Sequence, residues 1–518
     1  MNYMSVKLPF LFSDGMVLQR NAKIKLWGIA DEPVTVGFMG CEYHADPDMK
    51  GNWEIVLNNL EPGGPYTMTI NEIEIKDVYI GDVWLCAGQS NMQLPMQRVR
   101  HRYPEHMHAF NPNIRQFTVP HCYNFKGPMN SLDGGSWVSV SQETIKDFSA
   151  VGYFFSKRLQ DRYQVPIGLI VAAIGGTPIH MWVNRRLLKN FPELLSEAER
   201  ALDDTYVTSL VAKDALEEDS FFEWIEKFDP GLLEKWYLAD YNDSDWEERD
   251  LLLPWKGAGS VWLRKTVEIP EELAGKPATI FLGTVIDRDT VYVNGEAIGN
   301  TTYRYPPREY VIPSLPHGRC TITIHAISKD GGCFTPGKQY LLTTDAGSFN
   351  LNDTWRFRPG VQGAPPAEGD SINSIPSGYY NAMIAPLRNF AIKGAIWYQG
   401  EADEKNPQGY AEKFTALVHG WRKDWGYEFP FIFVELPYWG GGLTWNELRR
   451  DQWQLLEIPK TAMAAAFDLG EHNDLHPLGK QAVGDRLARC AMRVAYGEKM
   501  PHSPFEIVGY SPGHNIID

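Results

Sequence analysis

The stretch Val78-Tyr79-Ile80-Gly81-Asp82-Val83-Trp84-Leu85-Cys86-Ala87-Gly88-Gln89-Ser90-Asn91-Met92 decides the fold. Up to Ala87 it is a nearly unbroken apolar run, the pattern of a strand buried on both faces of a parallel sheet. Ser90 follows the strand and opens a helix. A hydroxyl there sits at the positive end of the helix dipole, where an alkoxide or oxyanion is favoured. Taken alone, a Ser-Asn after glycine reads as a turn or an N-cap. Three further segments outweigh that reading: Ile174-Gly175-Gly176-Thr177-Pro178, Trp397-Tyr398-Gln399-Gly400-Glu401 and Asp474-Leu475-His476-Pro477. Each lies at or just beyond a predicted strand, and open α/β sheets bind ligands at the carboxyl ends of their strands.

Working outward from this stretch gives the domain plan. Residues 1–76 read as an N-terminal β-sandwich, with short alternating runs such as Lys23–Trp27 and Val34–Phe38 between Gly, Pro and Asp turns. Residues 77–231 read as the first part of an α/β domain. Its helix begins near Ala150, and its second buried strand runs from Val165 to Ala173. A charged helical stretch over 187–230 leads into β character over 232–345, where Asn294-Gly295 is a hairpin signal. The α/β pattern then resumes over 346–518, with strands at 391–398, 429–436 and 461–467 and a helix at 480–496. The economical reading is a second β-sandwich inserted into one α/β domain. The tail 501–518 reads as irregular.

Composition bounds the chemistry. The chain has 518 residues and a formal net charge of −16. No basic cluster stands out along the sequence, which argues against nucleic acid or an anionic membrane as partner. No apolar run reaches the length of a membrane span. The start lacks a signal-peptide pattern, so a cytoplasmic location is expected. Six cysteines are scattered without paired spacing, which suits reduced, mostly buried thiols; a Cys320–Cys333 pair across a hairpin is the open alternative. His101, His106, His108 and His121 crowd one loop-like stretch. No carboxylate or cysteine completes a ligand set there, so solvated loop histidines are expected, with no metal and no cofactor.

Ser90 and His476 supply a nucleophile and a base. Asp474 is the nearest carboxylate able to orient the imidazole, with Glu401 and Asp468 as runners-up. The Ser90 N–H and the Gly175-Gly176 backbone offer oxyanion donors. Thr177, Trp182, Tyr398 and Trp439 fall near these motifs, where aromatic rings stack on sugar faces; any single tryptophan here is more readily a core residue.

The four segments, in that order, resemble the sialate O-acetylesterase family, a branch of the SGNH hydrolases. The resemblance extends from Leu11–Arg20 to Lys480–Leu487. It implies a flavodoxin-like parallel sheet with helices on both faces and an inserted jelly-roll β-sandwich. It also implies an esterase that removes O-acetyl groups from sugars, sialic acid or a hemicellulose such as xylan or xyloglucan. Gln399 matches the family's third oxyanion donor, and Asn91 and Glu401 join the oxyanion and substrate group. Arg449 and Gln452 match a pattern beside the cleft. One departure concerns the acid: the wider pattern has aspartate three residues before the histidine, and Asn473 stands there. A non-catalytic carbohydrate-binding protein on the same scaffold is the alternative, disfavoured because Ser90 and His476 are both present. A lipase or peptidase of the G-x-S-x-G kind is opposed by Met92 at the last glycine position.

Overall fold

The computed structural model describes residues 6–304, 306–363, 372–439, 443–471 and 474–499. The chain divides into two compact units, Met1–Tyr206 with Asn373–Asp518, and Val207–Ile372.

The first unit is organised by one long strand, β1 (Ile73–Gly88). Its first residues alternate between buried and open positions, and from Val78 onward every residue is buried. The change marks two environments. The first half pairs antiparallel with Gly63–Ile70 in the N-terminal β-structure, and the second half lies between parallel neighbours. The boundary read at 76/77 therefore falls inside a continuous strand. The N-terminal β-structure has a further sheet of three strands, Val6–Lys7, Lys23–Ala30 and Asn52–Asn58.

The other strands of the central sheet are β2 (Asn111–Thr118), β3 (Trp137–Val140), β4 (Ile167–Ala173), β5 (Gly394–Tyr398), β6 (Phe431–Val434) and β7 (Thr461–Ala464). Their spatial order is β3-β2-β4-β1-β5-β6-β7, and only the β3–β2 pair is antiparallel. β1 thus has β4 on one side and β5 on the other, although more than two hundred residues separate those two strands in sequence. Side chains alternate between two cores. Val83, Leu85 and Ala87 enter one, and Trp84 and Cys86 the other. The helix α1 (Ala150–Tyr163) brings Val151, Phe155 and Leu159 to the Trp84 side, and α2 (Tyr410–Trp425) brings Phe414, Leu417 and Trp421 to the Val83 side. A third helix, α3 (Lys480–Val494), joins α1. A Cβ on Gly484 would stand 2.6 Å from Phe154 Cβ, so this glycine sets how closely α1 and α3 approach. Helices therefore cover both faces, which parallel strands require.

The strands β2 and β3 lie in a region whose start, 101–121, reads from sequence as a histidine-bearing loop. Arg115 and Gln116 interrupt the apolar pattern of β2, yet both are buried. Arg115 Nη1 bonds Asp77 Oδ2 at 2.6 Å, and Gln116 Oε1 accepts the Ser149 N–H at 2.9 Å. Buried polar groups with complete partners do not show in a hydropathy pattern.

The second unit is built from antiparallel strands in two sheets of six and four strands. Val261, Leu263, Ile322 and Ile324 from the larger sheet share one core with Ile280, Leu282 and Leu342 from the smaller. The unit begins before and ends after the range 232–345, taking in most of the helix Asp204–Phe228 and the strand Thr354–Gly363. Asn294 and Gly295 both adopt positive φ, 48° and 90°, at the hairpin between Arg288–Val293 and Glu296–Thr301. Cys320 and Cys333 form no disulfide, nor do the other four cysteines. Among the described residues no helix is long and apolar enough to cross a membrane.

Candidate active site

β1 and β5 end side by side, and their last residues are locked together. Gly88 has φ +131°, and a Cβ there would meet Tyr398 O at 2.2 Å, so only glycine fits. The Gln89 N–H donates to Tyr398 O at 3.0 Å. Gln89 Oε1 in turn accepts the N–H groups of Gly400 and Ala402, at 3.3 and 3.1 Å. The one-turn helix Ser90–Gln93 starts from this knot. Ser90 is partly exposed, and its Oγ lies 2.7 Å from His476 Nε2.

His476 sits on an irregular loop before α3, 3% exposed. Asp474 Oδ1 accepts the His476 backbone N–H at 2.8 Å, which bends the segment into a side-chain-capped turn. Glu471 Oε1 accepts the Leu478 N–H at 2.9 Å and closes the loop around the histidine. Asn473 lies outside the described residues. Asp468, a runner-up for the acid, is engaged elsewhere. Arg486 holds it with two bonds of 2.6 and 2.7 Å and draws its carboxyl below the ordinary range. It is corrected from a triad acid to a surface ion pair.

Asn91, fully buried, ties three segments together. Its Nδ2 donates to Glu401 Oε1 at 2.5 Å and to Leu475 O at 2.9 Å, and its Oδ1 accepts from Lys480 Nζ. The bond to Leu475 fixes the residue next to His476, so Asn91 holds the loop rather than facing outward. Glu401 is buried, and burial pushes its carboxyl up. Its Oε2 has no hydrogen-bond partner among the described residues. Burial likewise lowers the Lys480 ammonium to about 8, against the attraction of Asp474, Glu401 and Glu471. Lys480 is the neighbour of Asn91 and Glu401 that the sequence does not single out. In the sequence it is only the first residue of a helix that falls within the resembling segment Lys480–Leu487.

The Gly175-Gly176 turn follows β4. A Cβ on Gly175 would come within 3.3 Å of Ser90 Cβ, so the turn runs against Ser90. Its N–H donates to Gln93 Oε1 at 2.8 Å. Gly176 is exposed and left-handed, φ +74°. Gln399 departs from its expected place as an oxyanion donor. Both N–H groups of its buried amide are taken, by Thr177 O at 3.1 Å and Asp403 Oδ2 at 2.5 Å. It fastens β5 to the Gly175-Gly176 turn. Asp403, not singled out in the sequence, also accepts the Ile179 N–H at 2.9 Å. Burial raises its carboxyl to about 6, although Lys413 and the Gln399 bond act the other way.

The remaining sequence candidates divide plainly. Trp182 and Tyr398 are fully buried core residues. Thr177 is buried and bonds Ile174 O and Trp182 Nε1. Trp439 packs at a tilt against Trp445, centroids 5.1 Å apart. Gln452 bonds Leu436 N and Val434 O, and Arg449 bonds Glu435 Oε1 at 2.6 Å, so both brace the end of β6. His106 Nδ1 lies 3.0 Å from Tyr153 OH, while His121 Nε2 lies 3.2 Å from Gln93 Nε2. Among the described residues no group of His, Cys, Asp or Glu is arranged to hold a metal ion.

With this geometry in view, the comparisons with known proteins agree on one class. A family model described as carbohydrate esterase, sialic acid-specific acetylesterase matches residues 80–211 and 365–493, just over half of the chain. The sialate O-acetylesterase of Rattus norvegicus is 26% identical over 532 residues, covering 93% of this chain and 72% of the rat protein. That of Mus musculus is 24% identical over the same coverage. A crystal structure of a carbohydrate acetylesterase from Xanthomonas citri shares the fold, with a TM-score of 0.59 and 24% identity over 96% of this chain and 77% of that one. The chain belongs to the sialic acid-specific acetylesterase family of carbohydrate esterases, and so to the carboxylic ester hydrolases.

Proposed function

We propose that this protein removes O-acetyl groups from sugar hydroxyls by an acyl-enzyme route, with Ser90 as nucleophile and His476 as general base. The 2.7 Å contact between Ser90 Oγ and His476 Nε2, at the start of a helix on the carboxyl edge of a parallel sheet, carries this reading. His476 takes the serine proton as Oγ attacks the acetyl carbonyl. The oxyanion forms beside the Ser90 N–H, one of the donors a helix N-terminus leaves without an intrahelical acceptor. The Gly175-Gly176 turn closes the other side. His476 then passes that proton to the departing sugar oxygen, which leaves as the free hydroxyl, and water attacks the acetyl-serine by the reverse sequence. Asp474 orients the imidazole by fixing the turn that carries it.

The strand order around β1 supports an SGNH-type, flavodoxin-like assignment for the first unit. The two antiparallel sheets of the second unit support the jelly-roll assignment. Relatives named for sialate support a sialic acid ester as substrate, with acetylated hemicellulose as the competing polymer.

Hydrolysis of p-nitrophenyl acetate tests the chemistry, and acetate release from acetylated sialic acid, xylan, mannan and xyloglucan tests the substrate. The expected result is turnover in both, lost in Ser90→Ala. A purified, folded protein inert toward every one of these esters sinks the proposal.

A further inference from the structure

The amino-terminal end of the central sheet carries a concavity of ≈ 790 Å³, within the size range of ligand sites. Its wall includes Arg20, Lys23, Lys25, Arg388 and Lys393, and among the described lining residues Asp424 is the one carboxylate. Such a concentration of cations is unexpected in a chain of net charge −16. Arg20 is neutralised by Asp82 at 2.9 Å and Lys25 by Glu54 at 3.2 Å. Asp424 is itself occupied by Arg186 and Tyr380 OH. Lys23, Arg388 and Lys393 form no ion pair among the described residues. Arg388 Nη2 donates to the neutral Asn130 Oδ1 at 2.6 Å, and Lys393 Nζ rests 4.7 Å over the Tyr496 ring. The cavity therefore holds a net positive charge.

A second feature points to the ligand. Tyr427 lines the same cavity and is 42% exposed. Its hydroxyl is clamped by the Ile392 main chain, accepting the N–H at 2.9 Å and donating to the carbonyl at 2.9 Å. The ring is thus held open at a fixed angle, which suits stacking on a sugar face. Lys393 directly precedes β5 and Gln399 directly follows it, so about 20 Å of strand separates this cavity from the Ser90 edge.

We propose that this concavity is a second binding site, which takes a carboxylate-bearing oligosaccharide through Lys23, Arg388 and Lys393 with a sugar ring on Tyr427. The saccharide part of the assignment rests on the carbohydrate-esterase reading; the anionic part does not. Such a site would anchor an acidic polymer while a distant acetyl group enters the catalytic edge.

Calorimetric titration with trigalacturonate, neutral xylotriose and inorganic phosphate, at low and high salt, tests it. Trigalacturonate should bind the wild type and weaken with salt, while xylotriose should not bind measurably. The double variant Arg388→Gln/Lys393→Gln, and separately the exposed Lys23→Gln in case the double variant misfolds, should weaken trigalacturonate by about tenfold and about threefold. Tyr427→Ala should weaken it without altering the response to phosphate. Turnover of p-nitrophenyl acetate should be unchanged in all of them. Absence of trigalacturonate binding overturns the site, as does binding that none of these variants weakens. Phosphate binding as tight as trigalacturonate, with Tyr427→Ala without effect, overturns the saccharide assignment. Loss of esterase activity in the wild type would instead count against the proposed function, which is read in a separate assay.

Discussion

The molecule contains two groupings of serine, histidine and aspartate, one in each unit, and they behave as opposites. In the first, Ser90 Oγ faces His476 Nε2 at 2.7 Å, and Ser90 is partly open. In the second, Asp229 stands between the other two. Ser260 Oγ donates to Asp229 Oδ2, and His325 Nε2 lies 3.3 Å from that same oxygen. Trp262 Nε1 donates to the other carboxylate oxygen at 2.9 Å, and its ring stacks on His325 with centroids 4.3 Å apart. Asp229 and Ser260 are fully buried. Burial alone would raise Asp229, but the neighbouring His325 and the bonds from Ser260 and Trp262 hold it at about 2. A serine whose proton is held by a carboxylate, in a site no substrate reaches, is a structural fastener. The residue types are the same; order of contact and access to solvent decide which grouping can react.

The largest effect that tests this contrast is on turnover. Ser90→Ala should lower kcat by about four to six orders of magnitude with an unchanged circular dichroism spectrum. Ser260→Ala should leave kcat within about threefold and lower stability by about 1–3 kcal/mol in urea titration, since Asp229 loses a donor. Reversal of the two outcomes would break the comparison.

Asp474→Asn sharpens it by asking whether the first grouping has three members. If Asp474 orients the ring, kcat should fall by about ten- to ten-thousandfold in steady-state kinetics. A near wild-type Asp474→Asn with a crippled Glu401→Gln would move the role to Glu401. If neither matters, the site is a Ser-His dyad.

Lys480 tests how the first grouping is braced. Lys480→Met leaves Asn91 Oδ1 and the Glu401 carboxyl without their cation, and kcat should drop by about tenfold, with KM little changed. The buried ammonium titrates at about 8. Wild-type kcat should therefore decline as pH rises through that value, and Lys480→Arg, which stays charged, should lose that limb. An unchanged pH profile in Lys480→Arg would remove Lys480 from the bracing.

The smallest effect concerns Asp403. Its carboxyl is raised from 3.8 to about 6 on folding, so the folded state binds the proton more tightly. The stabilisation this provides is complete below the unfolded value and is lost as pH rises through about 6. Between pH 7 and pH 5 the wild type should gain melting temperature relative to Asp403→Asn, which does not titrate there. Parallel curves for the two proteins in that window would refute the assignment.

The sequence by itself determined a good deal. The apolar run before Ser90, with its alternating destinations in two cores, specifies a strand covered on both sides, because period-2 geometry and burial leave few alternatives. The four motifs identified the residues that meet at the carboxyl edge, including the Ser90–His476 pair. What the sequence did not reveal depends on partners far away in the chain. β2 was hidden because Arg115 and Gln116 look like surface residues until Asp77 and Ser149 complete them. Gln399 looked like a donor awaiting an oxyanion until Thr177 and Asp403 took its protons. Lys480 looked like an ordinary helix residue until Asn91 and Glu401 closed around it. Patterns of hydrophobicity and turn chemistry are local, and a strand can be read from them. The task of a buried polar group is set by whichever acceptors and charges the tertiary fold brings within about 3 Å, and only the folded chain decides that.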